Sequence, residues 1–360
     1  MYMPVVVYSE DDAVLNHGKE LAALGSRALI LTGRFSAKNC GALDDTIKVL
    51  DGYGITYHIF NRVEENPSTH TVVQAAEEGR NEKADFVIGI GGGSPLDAAK
   101  AAAFLMCCGE IKEELLYQCG NDRHLPLALI PTTCGTGSEV TAVSVLTVPE
   151  LKTKKSISHR IFGDIALVDG KYLKRMPVQI LRNTALDALT HMIESRINTG
   201  ADDFSRMYSD SGMRIWSRNM KYLESGTTEK KVLAELMNAS TMGGMAIAQD
   251  GTGIPHGLSY SLTYKLQIPH GKAVGYFTAG YLAAADESDR RTVLDILGFS
   301  SVEQFQEYYL RMYGKTDVPH EILEQAVDEL WKNKKKLSTA PFDVDKEKLE
   351  EIAFYTIMHS

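Results

Sequence analysis

Asp187 and His191 stand four residues apart in NTALDALTHMIESRI, and His256 and His270 each sit between a proline and a glycine in PHGLSYSLTYKLQIPHGK. A separation of four puts a carboxylate and an imidazole on one face of a helix, one turn apart. An isolated Asp-x-x-x-His is more often a surface pair than a functional one. Here Leu186, Ala188, Leu189, Met192 and Ile193 surround both residues. That composition marks a largely buried helix, and buried polar groups need partners. The two Pro-His-Gly triplets read either as a short repeat or as a pair of ligands. Taken with Asp187 and His191, His256 and His270 complete a shell of one hard oxygen and three borderline nitrogens, suited to Fe(II) or Zn(II). The remaining histidines, His17, His58, His70, His124, His159, His320 and His359, are scattered without such spacing. They read as surface or internally satisfied side chains.

A second kind of chemistry lies upstream. DFVIGIGGGSPLDAAK joins a strand pattern to a helix pattern through Gly91, Gly92 and Gly93. Ser94 suits the N-cap, Pro95 the first helical position, and Asp97 the acid of a capping box. A glycine turn at a helix start lets backbone N–H groups approach a pyrophosphate. A bare triple glycine is equally a tight turn without a ligand, and the segment is not the GxGxxG fingerprint. PTTCGTGSEVT (131–141) supplies a second small-residue turn after a strand, with hydroxyls on Thr132, Thr133 and Thr136. Two such turns at the carboxyl ends of parallel strands suggest a nucleotide. In TGRFSAKNCG, Gly33 stands where an acid would bind the adenosine ribose, followed by Arg34, Ser36 and Lys38. A small residue beside cations and a hydroxyl accepts a 2′-phosphate, so NADP(H) is favoured over NAD(H). A solvated loop would have the same composition.

The elements that must position these residues follow a clear alternation. ALILTG (28–33), ITYHIF (55–60), DFVIGI (85–90), LPLALIPTT (125–133) and IALVDG (165–170) read as strands. Helical patterns around GALDDTIKVLDGYG, STHTVVQAAEEGR and PLDAAKAAAFLM separate the first four. This order predicts a mostly parallel sheet covered by helices on both faces. Beyond residue 170 strand-like runs stop, and segments such as VLAELMNASTMGGMAIAQ carry helical periodicity. The expected division is therefore an α/β nucleotide-binding domain over 1–176 and an all-α metal-binding domain over 177–360.

Composition narrows the partners. A chain of 360 residues exceeds one ordinary core. A net charge of -9 disfavours nucleic acid. The start lacks the features of a signal peptide, and no apolar run approaches the roughly 20 residues that span a bilayer. Five cysteines, Cys40, Cys107, Cys108, Cys119 and Cys134, without metal-site spacing, predict reduced, mostly buried thiols in the cytoplasm.

GGGSPLDAAK, PTTCGTGSEVT, DALTHMIES and HGLSYSLTYKLQIPHGKAVG resemble, in order and spacing, the signature segments of the iron-containing (group III) alcohol dehydrogenases. The resemblance covers nearly the whole chain. It implies the dehydroquinate synthase-like pairing of an N-terminal nicotinamide-binding domain with a helical metal domain, and a homodimer. The metal ligands it implies fall on Asp187, His191, His256 and His270. The cofactor contacts fall on Gly91, Gly92, Gly93 and Ser94 with Asp97, on Asn66, on Thr132 and Thr133, and on Lys154 or Lys155, which the alignment does not separate. Thr141 is a weaker cofactor contact, and Cys134 is read as structural. Many relatives carry an acid at the Gly33 position, and its absence here is similar to NADP-using members. Many also carry a histidine four residues after the third ligand. Tyr260 occupies that place, and its hydroxyl is a candidate for proton relay. The expected reaction is reversible hydride transfer between nicotinamide and a small alcohol or aldehyde, with the cation as Lewis acid. A dehydroquinate synthase-like or glycerol dehydrogenase-like activity is the alternative. The former would need cationic side chains near His256, where YSLTY is uncharged.

Overall fold

The β-branched runs form the sheet that their order predicts. In the computed structural model, which describes residues 1–118, 121–151, 153–226 and 229–359, eight strands are present. They are β1 (Val6–Ser9), β2 (Arg27–Thr32), β3 (Thr56–Phe60), β4 (Phe86–Gly91), β5 (Leu127–Pro131), β6 (Val145–Val148), β7 (Thr153–Ser156) and β8 (Ile165–Val168). Six of them make one parallel sheet in the order β1-β8-β5-β4-β2-β3. Side chains alternate across a strand, and β4 shows the consequence. Val87 enters one core with Leu29, Leu127 and Leu129, while Phe86, Ile88 and Ile90 enter the opposite core with Ala28, Ile30 and Ile130. Burial on both faces explains why these strands read as continuous apolar runs.

The chain leaves β2 to build β3 on one side and then returns to build β4 on the other. The carboxyl ends of β2 and β4 therefore flank the switch point at which ligands bind in such sheets. Gly33 follows β2, and the triple glycine closes β4. Gly91 pairs with Pro131 at the end of β5, which brings the glycine and threonine turns side by side.

Three strands were not expected. β1 has four residues, half of them exposed, and its short VVVY run precedes the first helical pattern without the length of the buried strands. β6 and β7 form an antiparallel hairpin with Val145 opposite Ser156 and Thr147 opposite Lys154. Its second strand, TKKS, has no apolar face.

The compact units are Tyr2–Met176 with Thr228–Thr241, and Pro177–Thr227 with Met242–Ser360. The first is α/β. In the second, every described regular element is helical. Set beside the expected division at 176/177, the described residues 229–241 group with the α/β unit. Gly170 makes this possible: a methyl group there would lie 2.5 Å from Ala234 Cα. Thr241 Oγ1 also donates to the buried Glu139 carboxylate at 2.8 Å. Residues 230–241 are the first half of an unbroken helix, Lys230–Asp250, so their periodicity carries no sign of the change. Among the described residues, no helix is long and apolar enough to cross a membrane.

Candidate metal and nucleotide sites

The helix Val178–Arg196 is buried along most of its length and carries Asp187, His191 and Glu194. Seven residues are close to two helical turns, so Asp187 and Glu194 lie on one stripe with His191 between them. His256 belongs to the first turn of the helix Ile254–Leu266, and His270 opens the helix His270–Ala284. The two Pro-His-Gly triplets thus do the same work. Each proline stands at a helix start, and each glycine admits a neighbour. A methyl group on Gly257 would meet Leu330 Cδ1 at 2.6 Å, and one on Gly271 would lie 1.8 Å from the Asn183 carbonyl oxygen. Gly271→Ala is accordingly expected to destabilise the protein by about 3 kcal/mol or more, at or beyond the upper end of the usual overpacking range. Urea unfolding measures this, and an unchanged midpoint would contradict the packing described.

These helices bring donor atoms of Asp187, His256 and His270 within 4.8 Å of one another. His191 stands outside that group, its ring stacked on His256 with centroids 4.4 Å apart. Asp187 Oδ1 and His256 Nε2 lie 3.4 Å apart, both buried, in an ion-pair contact, and neither makes a hydrogen bond of good geometry. Buried polar atoms of that kind carry a desolvation cost unless something binds them. Burial opposes ionisation of Asp187, but His191, His270 and His256 outweigh it and hold the carboxyl well below the usual carboxylate range. Burial likewise opposes a charged His256, but Glu194 and Asp187 prevail and push it up to about 9. The pocket thus favours positive charge at its centre. Its donor set of carboxylate and imidazole fits a borderline divalent cation. Tyr260 is 42% exposed, and its ring lies nearly parallel to that of His270 with centroids 6.5 Å apart.

In the α/β unit the helix Gly93–Cys107 starts without a side-chain cap. Its first N–H groups therefore fit an anion. This corrects the expected capping. Gly91 takes a φ of 155° and Gly92 is the N-cap, so the helix begins before Ser94, and Pro95 falls at the third position rather than the first. Asp97 is not part of a capping box. Its carboxylate accepts from Ser138 Oγ at 2.6 Å and from the Val145 N–H at 2.9 Å, tying the helix to the segment after the threonine turn. Thr141 Oγ1 is bound by the buried Lys100 at 3.3 Å. The glycines also admit the second turn, since methyl groups on Gly92 and Gly93 would meet Thr133 at 3.0 Å and Thr136 at 2.8 Å. Thr132 is buried, and its N–H donates to the Gly91 carbonyl at 2.8 Å.

Residues 4–170 match the iron-containing alcohol dehydrogenase family, and residues 182–360 match the C-terminal domain described for the Fe-containing alcohol dehydrogenase family. The chain belongs to the iron-containing alcohol dehydrogenases. It is 27% identical to long-chain-alcohol dehydrogenase 1 of Geobacillus thermodenitrificans over 93% of this chain and 91% of that one. It is 31% identical to the NADPH-dependent butanol dehydrogenase of Clostridium saccharobutylicum over 69% of this chain and 65% of that one. The crystal structure of an iron-containing alcohol dehydrogenase from Thermotoga maritima superimposes with a TM-score of 0.91 at 36% identity, covering 99% of each chain. The family implies iron and a nicotinamide cofactor.

In this alcohol dehydrogenase the hairpin separates Lys154 from Lys155. Lys154 Nζ donates to Asn66 Oδ1 at 2.7 Å, and the Asn66 N–H donates to Ser94 Oγ at 3.1 Å beside the glycine turn. Lys155 instead lies over the Tyr117 ring at 4.4 Å. At the other turn Arg34, Ser36 and Lys38 are exposed, and Lys38 is paired with Asp44 at 2.8 Å. The thiol expectation also changes. Cys107, at the end of its helix, is exposed, Cys40 and Cys108 are half-buried, and Cys134 is buried. Cys119 lies outside the described residues. His70, Glu113 and Glu150 form another compact donor group. It is a surface ion pair, with His70 Nε2 2.8 Å from Glu150 and 3.6 Å from Glu113. The residue that sequence reasoning missed is Glu194. Its only sign was an acid three residues after His191 on a buried helix.

Proposed function

We propose that the enzyme reduces small aldehydes reversibly with NADPH, using a divalent cation, Fe(II) or Zn(II), held by Asp187, His191, His256 and His270. The observation that carries this reading is the convergence of Asp187, His256 and His270 donor atoms within 4.8 Å, with Asp187 Oδ1 and His256 Nε2 buried 3.4 Å apart and making no hydrogen bond of good geometry. When bound, the cation would polarise a carbonyl oxygen and the nicotinamide would supply hydride. The protein's own part is to keep Asp187 ionised and to aim the imidazoles. Lys154, Asn66 and Ser94 are the polar groups that would meet the cofactor beside the glycine turn. Tyr260, exposed beside His270, is a hydroxyl that can pass a proton to solvent.

The preference for NADPH rests on charge rather than space. A methyl group on Gly33 would meet nothing closer than 3.6 Å, so close packing at Cβ does not require glycine there. The NADPH dependence of the Clostridium butanol dehydrogenase points the same way. Absorbance at 340 nm with butanal as substrate is expected to fall faster with NADPH than with NADH. Gly33→Asp should reduce that preference about tenfold, as about 1.4 kcal/mol of charge repulsion would. Equal or better rates with NADH would reject the NADPH assignment. Oxidation of neither would reject the substrate class.

A further inference from the structure

We propose that Glu194 is the positioning residue that fixes the tautomer of His256 and so aims its Nε2 lone pair into the Asp187 pocket. The proposal rests on the reading of that pocket as a cation site. Glu194 is fully buried on the same helical stripe as Asp187. Its Oε1 accepts from the backbone N–H of His256 at 2.9 Å, and its Oε2 lies 2.5 Å from His256 Nδ1. The backbone donor belongs to the first turn of a helix whose N-cap, Gly253, supplies no side-chain hydrogen bond, so one carboxylate both caps the helix and holds the ring.

The chemistry explains why a carboxylate is needed. Both groups of His256 that face Glu194 are donors when the Nδ1–H tautomer is present, and a carboxylate has two acceptor oxygens. A glutamine of the same shape has one. If its oxygen takes the backbone N–H, its NH₂ donates to Nδ1 and moves the ring proton to Nε2, where it blocks the lone pair. If its oxygen takes Nδ1–H, its NH₂ is set against the backbone N–H. The first arrangement blocks the lone pair and the second sets donor against donor and pushes the ring out of place, and neither removes any atom that would touch the cation. Metal-binding histidines are commonly oriented by such carboxylates.

The test uses the full chain and Zn(II). Chelator competition is expected to show binding 10–100-fold weaker in Glu194→Gln, in the range such partners contribute. Long-range ¹H–¹⁵N spectra of the histidines in the Zn(II)-loaded protein should show His256 with its proton on Nδ1 in the wild type, and a shifted pattern in the variant. A merely structural role would not move that signature. Glu194→Asp keeps the charge but is too short to reach both donors, so it should also weaken binding, and it serves if the glutamine variant does not fold. Wild-type Zn(II) affinity and tautomer in either folded variant would overturn the proposal. If the wild type itself takes up no Zn(II), the cation reading fails. The ring-proton signature, recorded at a pH alkaline enough for a neutral ring, then still decides whether Glu194 holds the Nδ1–H form.

Discussion

Asp187→Ala is expected to lower turnover of butanal by about 10³-fold and to abolish stoichiometric metal binding, while nucleotide affinity stays unchanged. The size follows from the several kcal/mol of charge stabilisation that such a cation provides, at 1.36 kcal/mol per factor of ten in rate. Asp187 is the only acid among the four proposed ligands, and it is buried with Oδ1 unbonded. Removing it leaves three imidazoles that repel a cation more than they attract it when protonated. The nucleotide is spared because Lys154, Asn66, Ser94 and the glycine turn all belong to the α/β unit. Asp187→Asn removes the anion at nearly constant volume and should behave as the alanine variant does, separating charge from packing. Equilibrium dialysis with Zn(II), nucleotide titration and steady-state rates check the three expectations. A variant that keeps both metal and turnover would remove Asp187 from the site, and turnover surviving verified metal extraction would remove the cation.

How much of this was legible in the chain depends on what kind of force placed each residue. Buried parallel strands must be apolar on both faces, so β2, β4, β5 and β8 announced themselves, whereas β1 and the β6–β7 hairpin did not. The donor set Asp187, His256 and His270 was readable because a helical period and two proline-marked helix starts constrain those positions locally. Features fixed by distant contacts were not. The helix after the triple glycine starts at Gly93 because Gly91 adopts a backbone region that glycine favours. Asp97 looked like a capping acid, yet its partners Ser138 and Val145 are 41 and 48 residues away. Lys154 and Lys155 are adjacent in sequence and opposite in side-chain direction, which only a strand assignment reveals. Glu194 had a visible position but an invisible partner, 62 residues on.

Lys100→Met is expected to destabilise the fold by about 3–5 kcal/mol, the usual consequence of deleting one member of a buried charged group. Lys100 is fully buried in the helix Gly93–Cys107. Its Nζ donates to Ser138 Oγ at 2.7 Å, to the Val143 carbonyl at 2.9 Å and to Thr141 Oγ1 at 3.3 Å, with Asp97 Oδ1 3.8 Å away. Methionine matches the chain length but supplies no donor. It would leave Asp97 and Glu139 buried without their cation, and the Val143 carbonyl without that bond. Burial lowers Lys100 to about 8 against the opposing pull of Asp97 and Glu139. The folded value lies below the ordinary 10.5, so the unfolded chain binds more protons between those limits and the wild type gains stability as pH rises through that window. The variant lacks this gain, and its two carboxylates, both already raised by burial, have no cation to offset them. The stability gap should therefore widen from pH 7 to pH 9.5 in urea titrations. A double change of Lys100→Met with Asp97→Leu should recover part of the loss, because replacing a buried charged pair by apolar groups often costs little. A gap that stays constant with pH, or a single variant as stable as the wild type, would mean that Lys100 does not tie the glycine-turn helix to the segment after the threonine turn.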